Sequence, residues 1–128
     1  MVVVLGLIAV LAKVALPSYS DYVRRGRLVS AFDGLGSYRL QLEQFYQDGG
    51  NYSVTNCGVT APAATAYFQL SCTLTSSGQG FTASATGLNT MVGYVYSVDA
   101  SNNFTTSKYA GVAISPAATC WWQRAGDC

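Results

Sequence analysis

The sequence predicts an α+β fold, in which one long N-terminal helix of about residues 1–47 packs on a three- to four-stranded antiparallel sheet. Two observations predict this architecture. Up to Gln47, apolar residues recur at steps of three, four and seven, which is the spacing of one face of a helix. From Asn51 onward, Gly, Ser, Thr and Asn dominate, and short segments alternate apolar with polar residues as half-buried strands do.

The helix carries an apolar stripe in its second part and a proline in its first. The stripe consists of Leu28, Ala31, Phe32, Leu35, Tyr38, Leu42, Phe45 and Tyr46. Gly49 and Gly50 supply the stop, because glycine adopts the left-handed conformation of a helix C-terminus without steric cost. Pro17 removes a backbone hydrogen bond and clashes with the preceding turn, so we expect a kink or a locally melted turn there.

The strands are predicted at 67–74, 80–86 and 91–98, with a shorter one near Phe104. S-S-G-Q-G and D-A-S-N-N connect them as hairpin loops. A sheet with one apolar face needs a cover, and the stripe is the only candidate in the chain. The second part of the helix is therefore expected to pack on the sheet, which leaves the first part without a partner in the molecule.

Composition excludes several classes of function. The 128 residues suit one domain, and a net charge of +1 provides no broad basic field for nucleic acid. Histidine is absent, which removes the usual general base near neutral pH and the commonest metal ligand. We expect no enzyme, no catalytic residue, no cofactor, no metal site and no small-molecule substrate.

The four cysteines are Cys57, Cys72, Cys120 and Cys128, and no C-x-x-C pair occurs among them. An even count in a small domain indicates two disulfides and an oxidising compartment. Four reduced core cysteines are the alternative. The residues alone leave three connectivities open.

The opening run from Met1 to Leu16 contains one charge, Lys13. An apolar helix with no partner in its own molecule must be buried in lipid or against other copies of itself. A membrane-anchored domain and a self-assembling subunit therefore both remain open.

Residues 2–27 resemble the N-terminal helix of type IV pilins, of the type IVa class and including minor pilins. The apolar run, Pro17, the P-S-Y-x-D-Y-V step and the basic cluster after it occur in the order of that family. The resemblance implies a globular part with a four-stranded sheet and a C-terminal segment closed by a disulfide. Cys120-W-W-Q-R-A-G-D-Cys128 resembles that segment, and we predict the pairs Cys57–Cys72 and Cys120–Cys128.

The resemblance also implies a function and a division of the chain. Residues 1–23 would be the hydrophobic helix of membrane and filament core, and 24–128 the globular pilin domain. The chain would be a structural subunit that leaves the inner membrane to join a surface filament of identical or homologous pilins, with roles in adhesion, twitching motility or DNA uptake. The predicted core residues are Val3, Leu5, Leu7, Ile8, Val10, Leu11, Lys13, Val14 and Leu16.

Two features of the helix depart from a simple span. Similar proteins begin with a methylated Phe and a short apolar stretch containing Glu. A span needs about 20 apolar residues, so we expect about five residues to precede Met1. Lys13 either extends its amine to the lipid headgroups or meets an acidic or carbonyl partner on another subunit.

Alternatives to the pilus subunit are a pseudopilin of a type II secretion system and a minor pilin that acts as DNA receptor or adhesin. Trp121, Trp122 and Arg124 are the candidate surface contact, with packing against the sheet expected for at least one tryptophan. Tyr19 and Tyr22 are expected at the boundary between core and globular layer. The helix also carries three arginines, Arg24, Arg25 and Arg27. We expect them to form a solvated or lipid-facing cluster, or to pair with Asp21 or Asp33 of a neighbouring subunit.

Overall fold

The structure is a computed structural model that describes residues 2–128, except for the side chains of residues 2, 11, 12 and 14–18. One helix precedes all the strands. The elements are α1 (Val2–Gly49), β1 (Phe68–Thr75), β2 (Gly80–Gly87), β3 (Val95–Asp99), β4 (Phe104–Tyr109) and β5 (Val112–Ala118). The α+β prediction is confirmed.

The sheet has five antiparallel strands in the order β1-β2-β3-β4-β5, so each strand pairs with the next along the chain. The prediction of three to four strands was wrong by omission of β5. Pro116 lies inside this strand, and a proline within an apolar run argues against a strand because it cannot donate to the ladder. Since β5 is an edge strand, its proline is tolerated.

The third strand also begins later than predicted. Met91 ends a 3-10 turn that starts at Asn89, and β3 begins only at Val95. Gly93 explains the delay, because its φ of +101° is left-handed and the Gly111 amide donates to its carbonyl at 3.0 Å. A Cβ on Gly93 would lie 2.6 Å from the Gly111 nitrogen, so this close approach requires glycine.

The predicted stripe faces the sheet. Five of its members are buried, namely Leu28, Ala31, Leu35, Tyr38 and Leu42, while Phe32, Phe45 and Tyr46 are half-buried. They meet the inner sides of the strands, where buried residues include Phe68, Phe81, Ala83, Ala85, Tyr96 and Val98. One face of α1 and one face of the sheet thus form a single core, as predicted.

The helix ends as the glycine signal indicates. Gly50 has a φ of +77°, and its amide donates to the Tyr46 carbonyl at 2.6 Å, which satisfies one of the last acceptors of the helix. At the other end, α1 continues through residue 17 without a break. The kink at Pro17 stays a prediction.

Candidate functional site

The first part of α1 exposes apolar side chains to solvent. We call residues 2–23 the upstream half and residues 24–49 the downstream half of α1. The exposed large aliphatic side chains of the upstream half, at 58–75% of their full surface, are Val3, Val4, Leu5, Leu7, Ile8 and Val10. A continuous apolar surface of this kind marks a contact with a protein or a membrane. Lys13 is exposed as well.

Three residues predicted for the filament core, Leu11, Val14 and Leu16, have side chains outside the described residues. Within residues 2–128, no helical stretch reaches the length and apolarity that crossing a bilayer requires.

An aromatic and cationic boundary separates the two halves. Tyr19 and Tyr22 are 67% and 74% exposed, and three arginines follow within one and a half turns. Arg24 Nη1 lies 3.1 Å from Asp21 Oδ1, so this aspartate has a partner within its own chain. Arg27 donates to the Thr90 hydroxyl at 3.0 Å, and its guanidinium carbon lies 4.4 Å from the centre of the Tyr67 ring.

The C-terminal loop, residues 119–128, is closed by the Cys120–Cys128 disulfide. Three side chains of β3 and β4 donate hydrogen bonds to its backbone carbonyls. Tyr96 bonds to Trp122 O at 2.6 Å, Thr106 to Cys120 O at 2.6 Å, and Tyr109 to Gln123 O at 2.7 Å. Because Tyr96 also contacts Phe32 of α1 edge-on, the loop covers the same face of the sheet as the helix.

The two tryptophans of the loop pack inward. Trp121 stacks on Phe32 with ring centres 4.9 Å apart, and its Nε1 donates to Ser97 O at 2.8 Å. Trp122 meets Tyr109 edge-on at 5.8 Å. The expected packing of at least one tryptophan is therefore confirmed, and of the three contact candidates only Arg124 is largely exposed.

Electrostatics reinforce the loop at both ends. Burial raises the pKa of the Tyr96 hydroxyl above its ordinary value, with smaller contributions from Tyr109 and Tyr94, so Tyr96 stays protonated and can donate. Asp127 accepts hydrogen bonds from the Arg124 and Gln123 amides at 2.8 Å each. These two bonds hold the pKa of the Asp127 carboxyl below its usual range.

The loop between α1 and β1 is held by the second disulfide, Cys57–Cys72, which ties it to the first strand. Tyr38 of α1 adds a hydrogen bond to Val59 O at 2.7 Å. Both cysteine pairs are those predicted, and the described chain has no free cysteine.

The sequence reasoning missed the residues that hold the C-terminal loop, Tyr96, Thr106 and Tyr109. Thr106 is completely buried, and its hydroxyl both donates to Cys120 O and accepts from the Trp122 amide at 2.9 Å. A buried threonine in the middle of a strand looks like any other strand residue in the sequence. The only available signal was the number of tyrosines in 91–109, since buried tyrosines usually have a hydrogen-bond partner.

Solved structures of type IV pilins share the fold of this chain. A type IV pilin from Shewanella oneidensis has a TM-score of 0.56 at 24% identity, over 63% of this chain and 89% of that one. The non-core minor pilin PilV of Neisseria meningitidis has a TM-score of 0.60 at 18% identity, over 73% of this chain and 95% of that one.

Sequence comparisons agree with the fold. The fimbrial protein EcpC of Eikenella corrodens is 34% identical over 56 residues, which are 44% of this chain and 37% of that protein. The match therefore spans well under half the length of this relative. Residues 17–95, more than half of the chain, match the family described as "Type IV minor pilin ComP, DNA uptake sequence receptor". The chain belongs to this family of type IV minor pilins.

Proposed function

We propose that the chain is a minor subunit of a type IV pilus-like filament on the bacterial surface. Residues 1–23 lie in the filament core, and residues 24–128 form part of the outer layer. The observation that carries this proposal is the exposed apolar surface of the upstream half, which no other described part of the chain covers. Membership in a family of minor pilins supports other pilin subunits as the partners that cover it.

Assembly exchanges one apolar environment for another. Before assembly the upstream half lies in the inner membrane, and afterwards it lies among the helices of neighbouring subunits. Since lipid is about as apolar as leucine, this exchange has little hydrophobic driving force, and close packing with polar pairing decides it. Within the apolar run of residues 1–16, Lys13 is the charged group available for this pairing, either at the headgroups before assembly or against a partner subunit afterwards.

The backbone near Pro17 can adapt during this exchange. In the filament, neighbouring helices can hold a kinked or melted turn there, which would lengthen the helix slightly. Tyr19 and Tyr22 then lie where the core meets the outer layer, because an aromatic ring with a polar end suits such a boundary.

The test is a charge placed in the upstream half. In cells that make type IV filaments, Ile8→Asp should remove the chain from sheared filaments, because an unpaired carboxylate is costly to bury among packed helices. The same charge costs about 3 kcal/mol in lipid, so the amount of variant in the membrane fraction is measured alongside and the filament labelling is normalised to it. Ile8→Leu and Val54→Asp are the controls, since Val54 is 84% exposed in the loop after α1. Immunogold labelling of filaments reads the outcome, and labelled Ile8→Asp filaments would contradict the proposal.

A pseudopilin of a type II secretion system is the first alternative, because it would use the same helix in a short periplasmic filament. The few carboxylates of this chain count against the calcium-binding major form, since a calcium loop needs several. Negative-stain images of the assemblies that contain the chain separate the two, with long surface filaments supporting the pilus and periplasmic stubs the pseudopilus.

The family description favours a second role, a receptor for duplex DNA. The exposed Arg124 in the C-terminal loop and the half-buried Lys108 on β4 are the basic residues available near the candidate contact surface. Because the net charge is only +1, DNA binding would depend on a few phosphate contacts. The DNA affinity would then decrease only slightly as the salt concentration rises. Titration of the full chain with a labelled duplex at two salt concentrations tests it, and Arg124→Gln should weaken binding.

A further inference from the structure

A pocket lies between α1, at the boundary of its upstream and downstream halves, and the connection from β2 to β3. Its volume is about 370 Å³. The polar residues that line it come from both elements and include Tyr19, Asp21, Arg24, Arg27, Thr90 and Tyr94. We call it the arginine pocket.

The charges of the arginine pocket do not balance. Asp21 pairs with Arg24, but the contacts of Arg27 are the Thr90 hydroxyl and the Tyr67 ring, and neither is an anion. Two guanidinium groups therefore face one carboxylate. A guanidinium has five N–H donors in a fork that fits a phosphate or a carboxylate with two bonds, so Arg27 retains free donors.

A second observation points to an unfilled donor set. The Nε atoms of Arg24, Arg25 and Arg39 are buried and find no hydrogen-bond acceptor among the described residues, and of these three arginines only Arg24 lines the pocket. A buried donor without an acceptor costs free energy, and a bound anion is one way to remove that cost. Because Arg24 lines the pocket, an anion bound there is a candidate acceptor for this donor.

The pocket lies at a known distance along α1 from the end of the apolar run. Eight residues separate Leu16, the last of the apolar run, from Arg24, which at the rise of a helix is about 12 Å. Along α1 the pocket lining extends from Arg27 back to Tyr19, which is three residues after Leu16. With the upstream half in a bilayer, the arginine donors reach the headgroup layer.

We infer that the arginine pocket binds the phosphate of an anionic phospholipid headgroup while the upstream half is in the membrane. The inference rests on the membrane stage of the proposed function. Arg27 supplies a fork of donors to the phosphate oxygens, Arg24 adds a second cation, and the hydroxyl of Tyr19 or Tyr94 can donate to the glycerol or phosphate oxygens. Release of this lipid then becomes part of leaving the membrane.

A membrane lipid fits the pocket better than a duplex does. Duplex DNA presents one charge about every 1.7 Å along its axis and is bound by an extended basic surface. The pocket offers two cations beside one carboxylate, and the chain as a whole has a net charge of only +1. A single phosphate next to an apolar chain matches both the charge and the neighbouring apolar helix.

The experiment uses the labelled full chain in zwitterionic detergent micelles. The amide signals of Thr90 and Met91, which line the pocket, are followed by NMR during titration with dihexanoyl phosphatidylglycerol. Dihexanoyl phosphatidylcholine, inorganic phosphate and a duplex oligonucleotide are titrated in parallel. Arg27→Gln removes the unpaired guanidinium, and Arg39→Gln is the matched control because Arg39 pairs with Glu43 at 2.7 Å outside the pocket.

Phosphatidylglycerol should shift both amides and saturate, whereas phosphatidylcholine should bind about tenfold more weakly because its headgroup carries its own cation. Arg27→Gln should weaken phosphatidylglycerol binding by about tenfold, and Arg39→Gln should leave it unchanged. Equal binding of phosphatidylcholine, equal binding of inorganic phosphate, displacement of the lipid by the duplex, or equal weakening by both variants would each overturn the lipid site.

Failure of this site and failure of the proposed function give different results. If the chain enters filaments but phosphatidylglycerol causes no shift of the two amides, the lipid site is contradicted and the role as a filament subunit is supported. If the chain binds the lipid but never enters a filament, the lipid site is supported and the role as a filament subunit is contradicted. Filament labelling of Arg27→Gln alongside the parent chain therefore accompanies the titration.

Discussion

The two halves of α1 have the same backbone and opposite surroundings. Leu35 in the downstream half is completely buried against the sheet, while Ile8 in the upstream half is 59% exposed. Both lie in one helix that the structure shows without interruption. What separates the halves is the availability of a partner, because an apolar helix face is stabilised mainly by what it packs against.

The difference teaches how one chain can be both a folded domain and a polymer subunit. The downstream half contributes to the free energy of folding of the globular domain, whereas the upstream half leaves its apolar surface exposed, and in the proposed function that surface makes the contacts between subunits. Substitutions in the two halves should therefore change different measurements.

The largest expected effect separates the halves directly. Leu35→Ala should lower the free energy of unfolding by about 3 kcal/mol, because it leaves a cavity under the sheet. Ile8→Ala should leave that free energy unchanged, since Ile8 packs on nothing in the described chain. Urea unfolding of both variants in detergent, followed by tryptophan fluorescence, measures the contrast. Equal destabilisation would show that the two halves fold as one unit.

Opening the C-terminal loop tests how far the downstream half depends on its neighbour on the sheet. Replacing Cys120 and Cys128 together with serine should cost about 2.5 kcal/mol by the loop-entropy estimate. The helix content of α1 as a whole should not change, and a loss of helix signal in the native state would show that the downstream half needs the closed loop. Calorimetry gives the first quantity and circular dichroism bounds the second. Cys57→Ser with Cys72→Ser is the comparison, with about 3 kcal/mol expected for its longer loop.

High pH should weaken the contact between β3 and the C-terminal loop. Burial raises the pKa of Tyr96 above that of an unfolded tyrosine, which is about 10. The protonated hydroxyl therefore contributes stability that is complete below about pH 10 and is lost as the pH rises towards the raised value. Unfolding free energies measured at increasing pH should fall above that point.

Tyr96→Phe isolates this group. It should cost about 1–2 kcal/mol at neutral pH, because Trp122 O loses its donor, and it should flatten the alkaline decline. Tyr19→Phe, at a 67% exposed position of the upstream half, is the control and should alter neither quantity. An unchanged alkaline slope in Tyr96→Phe would show that another buried tyrosine, such as Tyr38 or Tyr109, dominates the decline.

The smallest effect concerns Asp127. Its pKa is lowered by the amides of Arg124 and Gln123, so its support of the loop is present above the ordinary carboxyl pKa, about 3.9, and is lost as the pH falls through the lowered value. Asp127→Asn should speed hydrogen exchange of those two amides at neutral pH and leave the exchange of α1 unchanged. Faster exchange in α1 would mean that the loop and the helix are coupled.

Much of this architecture could be predicted from local patterns. The stripe from Leu28 to Leu42, the glycine stop after α1 and the alternating strands depend on neighbours within one turn or one strand, so the sequence shows them directly. The Cys120–Cys128 pair followed from resemblance to a family, and Cys57–Cys72 from the predicted positions of these cysteines in the loop after the helix and on the first strand. β5 was missed because Pro116 lies within it, and a proline is tolerated only in a strand at the edge of a sheet. Which strand lies at the edge depends on how the whole sheet is assembled, and a local pattern does not show that.

The sequence by itself determined that a helix precedes a sheet, which helical residues face that sheet, and that an apolar run is left without a partner. Only the tertiary structure decided which groups meet across long separations. Arg27 contacts Thr90 at a separation of 63 residues, and Thr106 reaches Cys120 O across 14. Such contacts depend on how several elements pack together, and packing is cooperative, so no local pattern encodes the arginine pocket or the loop that Tyr96 and Tyr109 hold.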